Sequence, residues 1–226
     1  MQNKDYFNVG IIRDIEMYGK RKVKNLKRKL NFLIGSEQNQ LPVSKNNPSP
    51  RYTNLIKYID SKDIVLDIAC GYGGGTAFLS KYCKSIYGID IDKRYIDYAV
   101  SNNANIKTSF IMGNHETLLT MDTSFDCIIS LHTLEHVQDD TNFVESIYSV
   151  LKTGGKFLLE VPRLLLKPLG EPLWPFHDRE YSDYQIKKIL KASGFKIIQA
   201  MGGNRNKYVN IEEAREVLFY YAIKEG

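Results

Sequence analysis

The stretch "VLDIACGYGGGTAFLS", residues 65–80, decides how this chain is interpreted. Its first residues form a short apolar run, which suits a strand that is buried on both faces of a sheet. A glycine-rich turn follows, and a helical pattern begins near Gly75. In open α/β sheets, ligands bind beyond the carboxyl ends of the strands, and glycines let a ligand approach the backbone closely. The stretch therefore predicts a ligand-binding turn between a buried strand and a helix.

From about residue 50 onward, strand-like and helix-like segments alternate along the chain. This alternation predicts an α/β fold with a doubly wound, mostly parallel sheet and helices on both of its faces. The predicted helices cover 74–84, 92–103, 141–152 and a segment from Ser182 that stops at a glycine. The predicted strands cover 63–69, 85–90, 108–113, 125–130, 155–161, 196–201 and 216–224.

The first 50 residues differ from the rest in charge, with ten Lys and Arg against four Asp and Glu. Apolar residues at helical spacing within "KRKVKNLKRKL" (20–30) predict a basic amphipathic helix. Its basic face is either a solvated surface or a docking surface for an anionic substrate, nucleic acid or acidic lipid head groups, which includes peripheral membrane contact. A polar, proline-containing linker follows at 36–50. We therefore expect a helical arm and linker over 1–49 and a main domain over 50–226.

The composition is that of a globular protein, with 43% hydrophobic and 25% charged residues. No apolar segment approaches the roughly 20 residues that span a bilayer, and no signal pattern opens the chain, so we expect a cytoplasmic location. The three cysteines show no C-x-x-C spacing and fit reduced thiols. The oligomeric state is left open by the sequence.

The glycine turn does not match the loops that hold nucleotide phosphates. Gly71 and Gly73 fit the start of G-x-G-x-x-G, but Thr76 occupies the last position, and no Lys-Ser or Lys-Thr follows the glycines. Instead, Asp67, Ala69 and the two glycines fit the pattern acid-x-small-x-Gly-x-Gly. This pattern resembles motif I of the class I S-adenosylmethionine-dependent methyltransferases, with alanine where glycine is more usual. The resemblance implies that the loop wraps the amino acid portion of the cofactor and that the acid helps to orient it.

Three further motifs extend this resemblance from about residue 50 to the C-terminus: an acid after the second strand, "MGNHE" after the third, and "SLHTLEHV" after the fourth. The resemblance implies a Rossmann-like fold with seven strands, the last antiparallel, that binds S-adenosylmethionine and releases S-adenosylhomocysteine. Asp90 would hold the cofactor ribose, although capping of the next helix is an alternative role, and Asp92 could also fill it. The remaining cofactor contacts that the resemblance implies are Ile91, Asn114, His115, Leu131 and His132.

The stretch "SLHTLEHV" (130–137) also spells H-x-x-E-H, which in one protease class supplies two zinc ligands and a general base. A zinc site of that kind needs His132 and His136 on one face of a helix. The strand-like segment "FDCIIS" ends immediately before Leu131, which places His132 in a strand-to-helix loop. The sequence therefore favours two loop histidines beside a methyl-transfer site, and we expect no metal.

Candidate residues for binding the methyl acceptor and accepting its proton are the histidines and the stretch "PLWPFHDREYS" (172–182). If the acceptor is a hydroxyl, a base must take its proton, and His136 and His177 are the candidates. His136 is equally suited to a structural role in capping the following helix. Trp174, Phe176 and Arg179 are candidate substrate contacts. Alternatively, Trp174 and Phe176 only cover the sheet edge, and Arg179 pairs with Asp178 on the surface.

The segment after "PLWPFHDREYS" is similar to the tail of small-molecule and sugar-modifying methyltransferases, which implies O-methylation of a small molecule or saccharide precursor. Nucleic acid is disfavoured, since neither the Asn-Pro-Pro-Tyr nor the Pro-Cys motif of base methyltransferases occurs. The alternatives are a non-catalytic member of the fold that binds cofactor or a partner, or an enzyme that acts on RNA ribose or protein docked by the basic arm.

Overall fold

The computed structural model describes residues 46, 48–164, 177, 179–204, 207–214 and 216–226. The chain divides into two compact units, residues 1–41 with 166–177 and residues 42–165 with 178–226. In the first unit only His177 is described, and its side chain is buried. The predicted basic helix at 20–30, Trp174 and Phe176 lie outside the described residues. Within the described ranges, none of the helices is long and apolar enough to cross a membrane.

The second unit is built on one eight-stranded sheet. Its strands are β1 Ile64–Ile68, β2 Ser85–Asp90, β3 Thr108–Met112, β4 Phe125–Leu131, β5 Leu151–Pro162, β6 Phe195–Asn204, β7 Lys207–Val209 and β8 Val217–Lys224. Their order across the sheet is β3-β2-β1-β4-β5-β8-β6-β7. The first five strands pair in parallel, whereas β8 is antiparallel to both β5 and β6, and β7 is antiparallel to β6.

The helices begin at the residues that suit helix starts. Asp92, Asn114, Asp139 and Ser182 each accept a hydrogen bond from a backbone amide in the first turn that follows. The α-helices of the described residues are α1 Pro50–Leu55, α2 Gly74–Leu79, α3 Lys93–Asn103, α4 His115–Leu118, α5 Asp140–Val150 and α6 Asp183–Ala192.

The central strands are buried on both faces, as their apolar runs predict. On β1, Val65 belongs to a hydrophobic cluster that includes side chains of α1 and α2. Its neighbour Leu66 belongs to a second cluster, which includes side chains of α4, α5 and α6. Because successive strand residues point to opposite faces, one continuous apolar strand supports both cores.

The doubly wound sheet and its antiparallel last strand are confirmed, but the sheet has one strand more than the seven that the family resemblance implies. The additional strand is β7, whose three residues pair with Gly202–Asn204 at the end of β6. Three residues are too few to show the alternation by which a strand is recognised in a sequence. Another difference concerns α2, which ends at Leu79 rather than at residue 84.

The order of the strands determines where a ligand can bind. From β1 the chain moves outward to β2 and β3, and then returns to the other side of β1 to form β4. The connections after β1 and β4 therefore leave in opposite directions, and a crevice opens between them at the carboxyl ends of the strands. The glycine turn follows β1 at this edge, and "SLHTLEHV" spans the end of β4 and the turn after it.

Candidate functional site

The turn after β1 depends on left-handed backbone conformations. Gly71 and Gly73 have φ angles of 54° and 74°, and Ala69 has a φ of 60°. Left-handed angles are accessible to glycine at little cost but strain an L-residue such as alanine. A Cβ at Gly73 would also lie 2.5 Å from the Phe110 ring, whereas one at Gly71 would meet no described atom within 4 Å. Gly71 thus leaves open space beside the turn.

Asp67, at the end of β1, is directed into the protein. Its Oδ2 accepts hydrogen bonds from the hydroxyls of Thr76 at 2.6 Å and of Tyr52 at 3.1 Å, and the residue is 1% exposed. Burial raises the pKa of the Asp67 carboxyl to about 7, although the hydrogen bonds from Thr76 and Tyr52 act in the opposite direction. Asp67 therefore links the start of α2 to α1, beneath the glycine turn.

Asp90, at the end of β2, joins the glycine turn to the next loop. Its Oδ2 accepts from the Gly71 amide and its Oδ1 from the Asp92 amide, both at 2.9 Å. Capping of α3 falls to Asp92, whose side chain accepts from the Arg94 amide. Each carboxylate oxygen has two acceptor positions, so Asp90 retains capacity for two further donors such as the hydroxyls of a ribose.

At the end of β3, Asn114 and His115 have different environments. The Asn114 side-chain oxygen accepts from the amides of Glu116 and Thr117, which makes it the cap of α4. The His115 ring packs against Phe143 with 5.3 Å between ring centroids. Its Nε2 is buried and has no hydrogen-bond partner among the described residues. Of the two, His115 carries the polar atom that a bound ligand would satisfy.

The residues after β4 do not form the helix that a zinc protease requires. His132 has a φ of 54°, and its amide donates to the Glu160 carbonyl on β5 at 2.9 Å. Only a single 3-10 turn follows, Leu134–His136. Because His132 lies outside that turn, the H-x-x-E-H residues are not arranged on one face of an α-helix. This agrees with the prediction that His132 lies in a loop after the strand.

Two buried acids surround His132. Its Nδ1 lies 3.2 Å from Glu135 Oε1, and its Nε2 lies 3.2 Å from Glu160 Oε1. The carboxylates are 0% and 1% exposed, respectively. Burial alone lowers the pKa of His132, but the contacts with both acids outweigh it and raise the pKa above its ordinary value. His136 is farther away, with 3.9 Å between its Nε2 and Glu135 Oε1, and is 44% exposed.

A cavity of about 420 Å³ lies at the carboxyl ends of β1 to β4. It brings together seven of the residues proposed from the sequence: Ala69, Asp90, Ile91, Asn114, His115, His132 and His136. Among the described residues, six others proposed from the sequence are not part of its lining: Asp67, Gly71, Gly73, Leu131, His177 and Arg179. Sequence reasoning missed six more lining residues: Ile68, Gly113, Thr133, Val137, Gln138 and Phe143. None of these six is charged, so no motif distinguishes them from core residues.

The proposed substrate contact Arg179 is bound to its own protein. Its guanidinium donates to Asp140 Oδ2 at 3.0 Å and to the Gln138 carbonyl at 2.8 Å. These bonds tie the segment before α6 to the start of α5 and to Gln138, which lines the cavity. They give Arg179 a structural role, close to the surface-pairing alternative that its sequence allowed.

The cavity residues fit the cofactor that the sequence resemblance implies. Asp90 has acceptor capacity for a ribose diol, and Ile91 beside it is an apolar side chain that is 76% exposed. The buried Nε2 of His115 supplies an unsatisfied polar atom on the same wall. A site with mostly apolar walls and a few directed polar groups is the usual form of a small-molecule site.

Comparison with known proteins agrees with this geometry. Residues 66–159 match the family model described as "Methyltransferase domain". A probable S-adenosylmethionine-dependent methyltransferase of Mycolicibacterium smegmatis is 29% identical over 61% of this chain and 54% of its own length. Juvenile hormone acid O-methyltransferase of Bombyx mori is 28% identical, over 66% and 62% respectively. Phosphoethanolamine N-methyltransferase 1 of Arabidopsis thaliana is 34% identical, over 58% and 28%. The chain thus spans less than two thirds of the length of each relative.

Solved structures share the fold at low sequence identity. The YcgJ protein of Bacillus subtilis has a TM-score of 0.61 at 19% identity, over 77% of this chain and 98% of its own. The [4+2]-cyclase SpnF has a TM-score of 0.64 at 17% identity, over 83% and 85%. The fold alone therefore does not define a reaction.

The sheet order, the glycine turn and the acids at the ends of β1 and β2 agree with the methyltransferase domain that residues 66–159 match. The chain is similar to S-adenosylmethionine-dependent methyltransferases.

Proposed function

We propose that this protein transfers the methyl group of S-adenosylmethionine to a hydroxyl group of a small molecule or saccharide. The observation that carries the proposal is the convergence of Asp90, His115, His132 and His136 on one cavity beside the glycine turn. This arrangement combines groups suited to hold a nucleoside with an imidazole suited to accept a proton.

The residues that would hold the cofactor lie on the walls of the cavity at the ends of β1, β2 and β3 and on α5. Asp90 would accept hydrogen bonds from the ribose hydroxyls while it keeps the Gly71 amide in place. Ile91 and Phe143 would contact the purine, and His115 Nε2 would make the polar contact with its edge. The cofactor supplies a methyl group on a sulfonium sulfur, which is electrophilic without help from the protein.

The task of the protein is then to orient the acceptor, exclude water and receive a proton. Ile68, Val137 and Phe143 line the cavity with apolar surface, which disfavours water beside the reacting groups. A hydroxyl acceptor loses its proton as the new bond to carbon forms, and a base within hydrogen-bond reach must take it.

His136 is the base in this proposal. It lines the cavity and is 44% exposed, so its imidazole is accessible both to an acceptor and to solvent. His132 is unsuited to the role because both of its nitrogens face carboxylates and its pKa is raised, which favours the protonated form. His177, the other candidate from the sequence, is buried.

The acceptor class rests on the names of two relatives and on the imidazole at the cavity. The Bombyx mori relative is named for O-methylation of an acid, and the Arabidopsis thaliana relative for N-methylation of phosphoethanolamine. Both names concern small molecules. The imidazole of His136 at the cavity favours a neutral hydroxyl acceptor, whose proton needs a base.

The proposal is tested in two stages with the full chain. First, calorimetry with S-adenosylhomocysteine measures cofactor-site binding, and an absence of binding at millimolar concentration would contradict the proposal. Second, turnover is assayed with hydroxylated small molecules and saccharides, alongside amine-bearing acceptors and RNA. Methyl transfer only to amines or RNA would contradict the proposed hydroxyl acceptor. Cofactor binding without any turnover would favour a non-catalytic role.

The variant His136→Asn tests the proton acceptor. Loss of a general base lowers rates by about 10²- to 10⁴-fold, so we expect kcat to fall in that range while the affinity for S-adenosylhomocysteine is retained. Asp97→Asn is the control, since Asp97 pairs with Lys93 on the exposed face of α3 and should leave both quantities unchanged. An unaltered kcat in His136→Asn would exclude His136 as the base.

A further inference from the structure

We propose that His132 is a positioning residue that, in its protonated form, holds Glu135 and Glu160 together and so fixes the turn that carries His136. The pairing of His132 with the two acids is a property of the folded protein alone. Its consequence for methyl transfer rests on the function proposed above.

The first argument is the placement of the two ring nitrogens. His132 Nδ1 and Nε2 each lie 3.2 Å from a different carboxylate oxygen, one on Glu135 and one on Glu160. A neutral imidazole carries a proton on one nitrogen only, so its other lone pair would face a carboxylate oxygen. Only the protonated ring carries a proton on both nitrogens and a positive charge that faces both acids.

The second argument is the balance of buried charge. Glu160 Oε1 is also 2.9 Å from Arg51 Nε, and Oε2 accepts a hydrogen bond from the Tyr208 hydroxyl at 2.9 Å. With His132 protonated, the buried Glu160 carboxylate faces two cations, His132 and Arg51. With His132 neutral, Glu160 would lose the positive charge of the ring, and a buried carboxylate is costly when its compensating charge is reduced.

The third argument is the backbone of His132. Its φ of 54° is an uncommon conformation for a residue other than glycine, and it persists where surrounding contacts compensate for the strain. Here the His132 amide donates to the Glu160 carbonyl, so main chain and side chain both tie His132 to Glu160. The end of β4 is thereby fixed against β5 at the wall of the cavity.

The connection to His136 runs through Glu135. Glu135 and His136 are adjacent in the 3-10 turn, and the His136 amide donates to the Thr133 carbonyl at 2.9 Å. Glu135 Oε1 is the oxygen that faces both histidines, at 3.2 Å from His132 and 3.9 Å from His136. A change in the contact between His132 and Glu135 therefore moves the turn that presents His136 to the cavity.

The charged groups around His132 determine the direction of its pH dependence. Glu135 faces it from its own loop and Glu160 from β5, and both favour the protonated ring. Arg51 on α1 acts in the opposite direction, as does burial. His136 lies on the far side of Glu135. Because the pKa is raised, the pairing is complete at low pH and is lost as the pH rises through the raised value.

The first test is a titration of the wild-type protein by nuclear magnetic resonance with isotope-labelled histidine. The His132 signals are assigned by their absence from His132→Gln. We expect the His132 ring to remain protonated to a higher pH than the ordinary value of about 6.5. A ring that titrates at or below that value would overturn the proposal. This result does not depend on whether the protein transfers methyl groups.

The second test compares His132→Gln, Glu160→Gln and the double variant in turnover. We expect each single variant to lower kcat by about 10- to 100-fold, because a displaced reacting group costs rates of that order. The double variant should lose little more than either single variant, since both substitutions disrupt the same contact between His132 and Glu160. Independent, multiplicative losses would contradict the pairing. The control Asp97→Asn removes an exposed ion pair on α3 and should be neutral.

The pH profile separates positioning from a general structural defect. In the wild type, kcat should fall on the alkaline side as His132 loses its proton, and this alkaline limb should be absent from His132→Gln. A variant that was merely less stable would keep the limb at a lower amplitude. If the wild type has no turnover at all, the proposed function fails, whereas the titration still decides the pairing.

Discussion

At the scale of single residues, two non-glycine positions among the described residues have left-handed backbone. Ala69 and His132 have φ angles of 60° and 54°, and both line the cavity. At His132 the surrounding acids compensate for the strain. At Ala69 the alanine replaces the glycine that is more usual in the family motif. The alanine therefore introduces backbone strain in addition to the space that its methyl group occupies.

The variant Ala69→Gly should stabilise the protein. A left-handed conformation costs an L-residue roughly 1–2 kcal/mol, and the greater freedom of glycine in the unfolded chain cancels part of the gain. We expect a net increase of about 1 kcal/mol in the free energy of unfolding, measured by urea denaturation. The comparison variant Gly71→Ala introduces the same conflict at a φ of 54° and should destabilise by a similar amount. A loss of stability in Ala69→Gly would show that the Cβ contributes packing that outweighs the strain.

At the scale of elements, the short helix α1 is held to the cavity edge of the sheet by polar contacts. Tyr52 donates to Asp67 at the end of β1, and Arg51 pairs with Glu160 on β5. The Tyr52 ring also packs on α2, where a Cβ at Gly75 would lie 2.2–2.4 Å from ring atoms. A six-residue helix is not stable by itself, so these contacts and the burial of Leu55 fix its place.

The variant Gly75→Ala should displace α1, because the new methyl group overlaps the Tyr52 ring. We expect the free energy of unfolding to fall by about 1–3 kcal/mol, as in other overpacked sites. In a Tyr52→Ala background the overlap is absent, and Gly75→Ala should be neutral or slightly stabilising, since alanine favours helix over glycine. A double-mutant cycle measures this coupling. Additive effects of the two substitutions would mean that α1 is not anchored through this contact.

At the scale of the whole molecule, the sheet gathers acids at one edge. Four buried acids lie there, each near the end of a different strand or in the turn that follows it: Asp67 (β1), Asp90 (β2), Glu135 (after β4) and Glu160 (β5). Asp90 also contributes to the raised pKa of Asp67, after burial, which is the main cause. The fold thus holds charge at its ligand-binding edge at the expense of stability, a pattern common in functional sites.

Stability should therefore depend on pH through Asp67. Its pKa rises from 3.8 to about 7 on folding, so the folded state binds the proton more tightly, and the stabilisation present at low pH is lost as the pH rises from about 4 to about 7. The neutral variant Asp67→Asn should lack this dependence. Relative to the variant, the wild type should lose on the order of 3–4 kcal/mol across that window, measured by urea unfolding at each pH. Parallel pH curves for the two proteins would contradict the assignment. The raised pKa of His132 also makes stability fall as the pH rises. This loss begins above the ordinary histidine pKa of about 6.5, so it lies in a separate pH window.

Local patterns account for the parts of the site that the sequence predicted. The glycine turn and the acid at the end of β2 are successive features of one strand-turn-helix-strand unit, so their spacing in the chain reports their spacing in the fold. The same holds for the two-faced burial of β1, which its apolar run indicates. The edge strand β7 was missed because three residues carry no periodic signal.

The sequence by itself determined the class of fold, the edge of the sheet at which a ligand binds and the residues that follow each strand. The tertiary structure alone decided which of those residues share one environment. It turned Asp67 away from the cavity toward Tyr52, made Asn114 a helix cap, and brought Glu160 beside His132 from 28 positions along the chain. Such contacts depend on the pairing of β4 with β5 and on where α1 packs, and no periodicity in the sequence encodes a contact between residues so far apart.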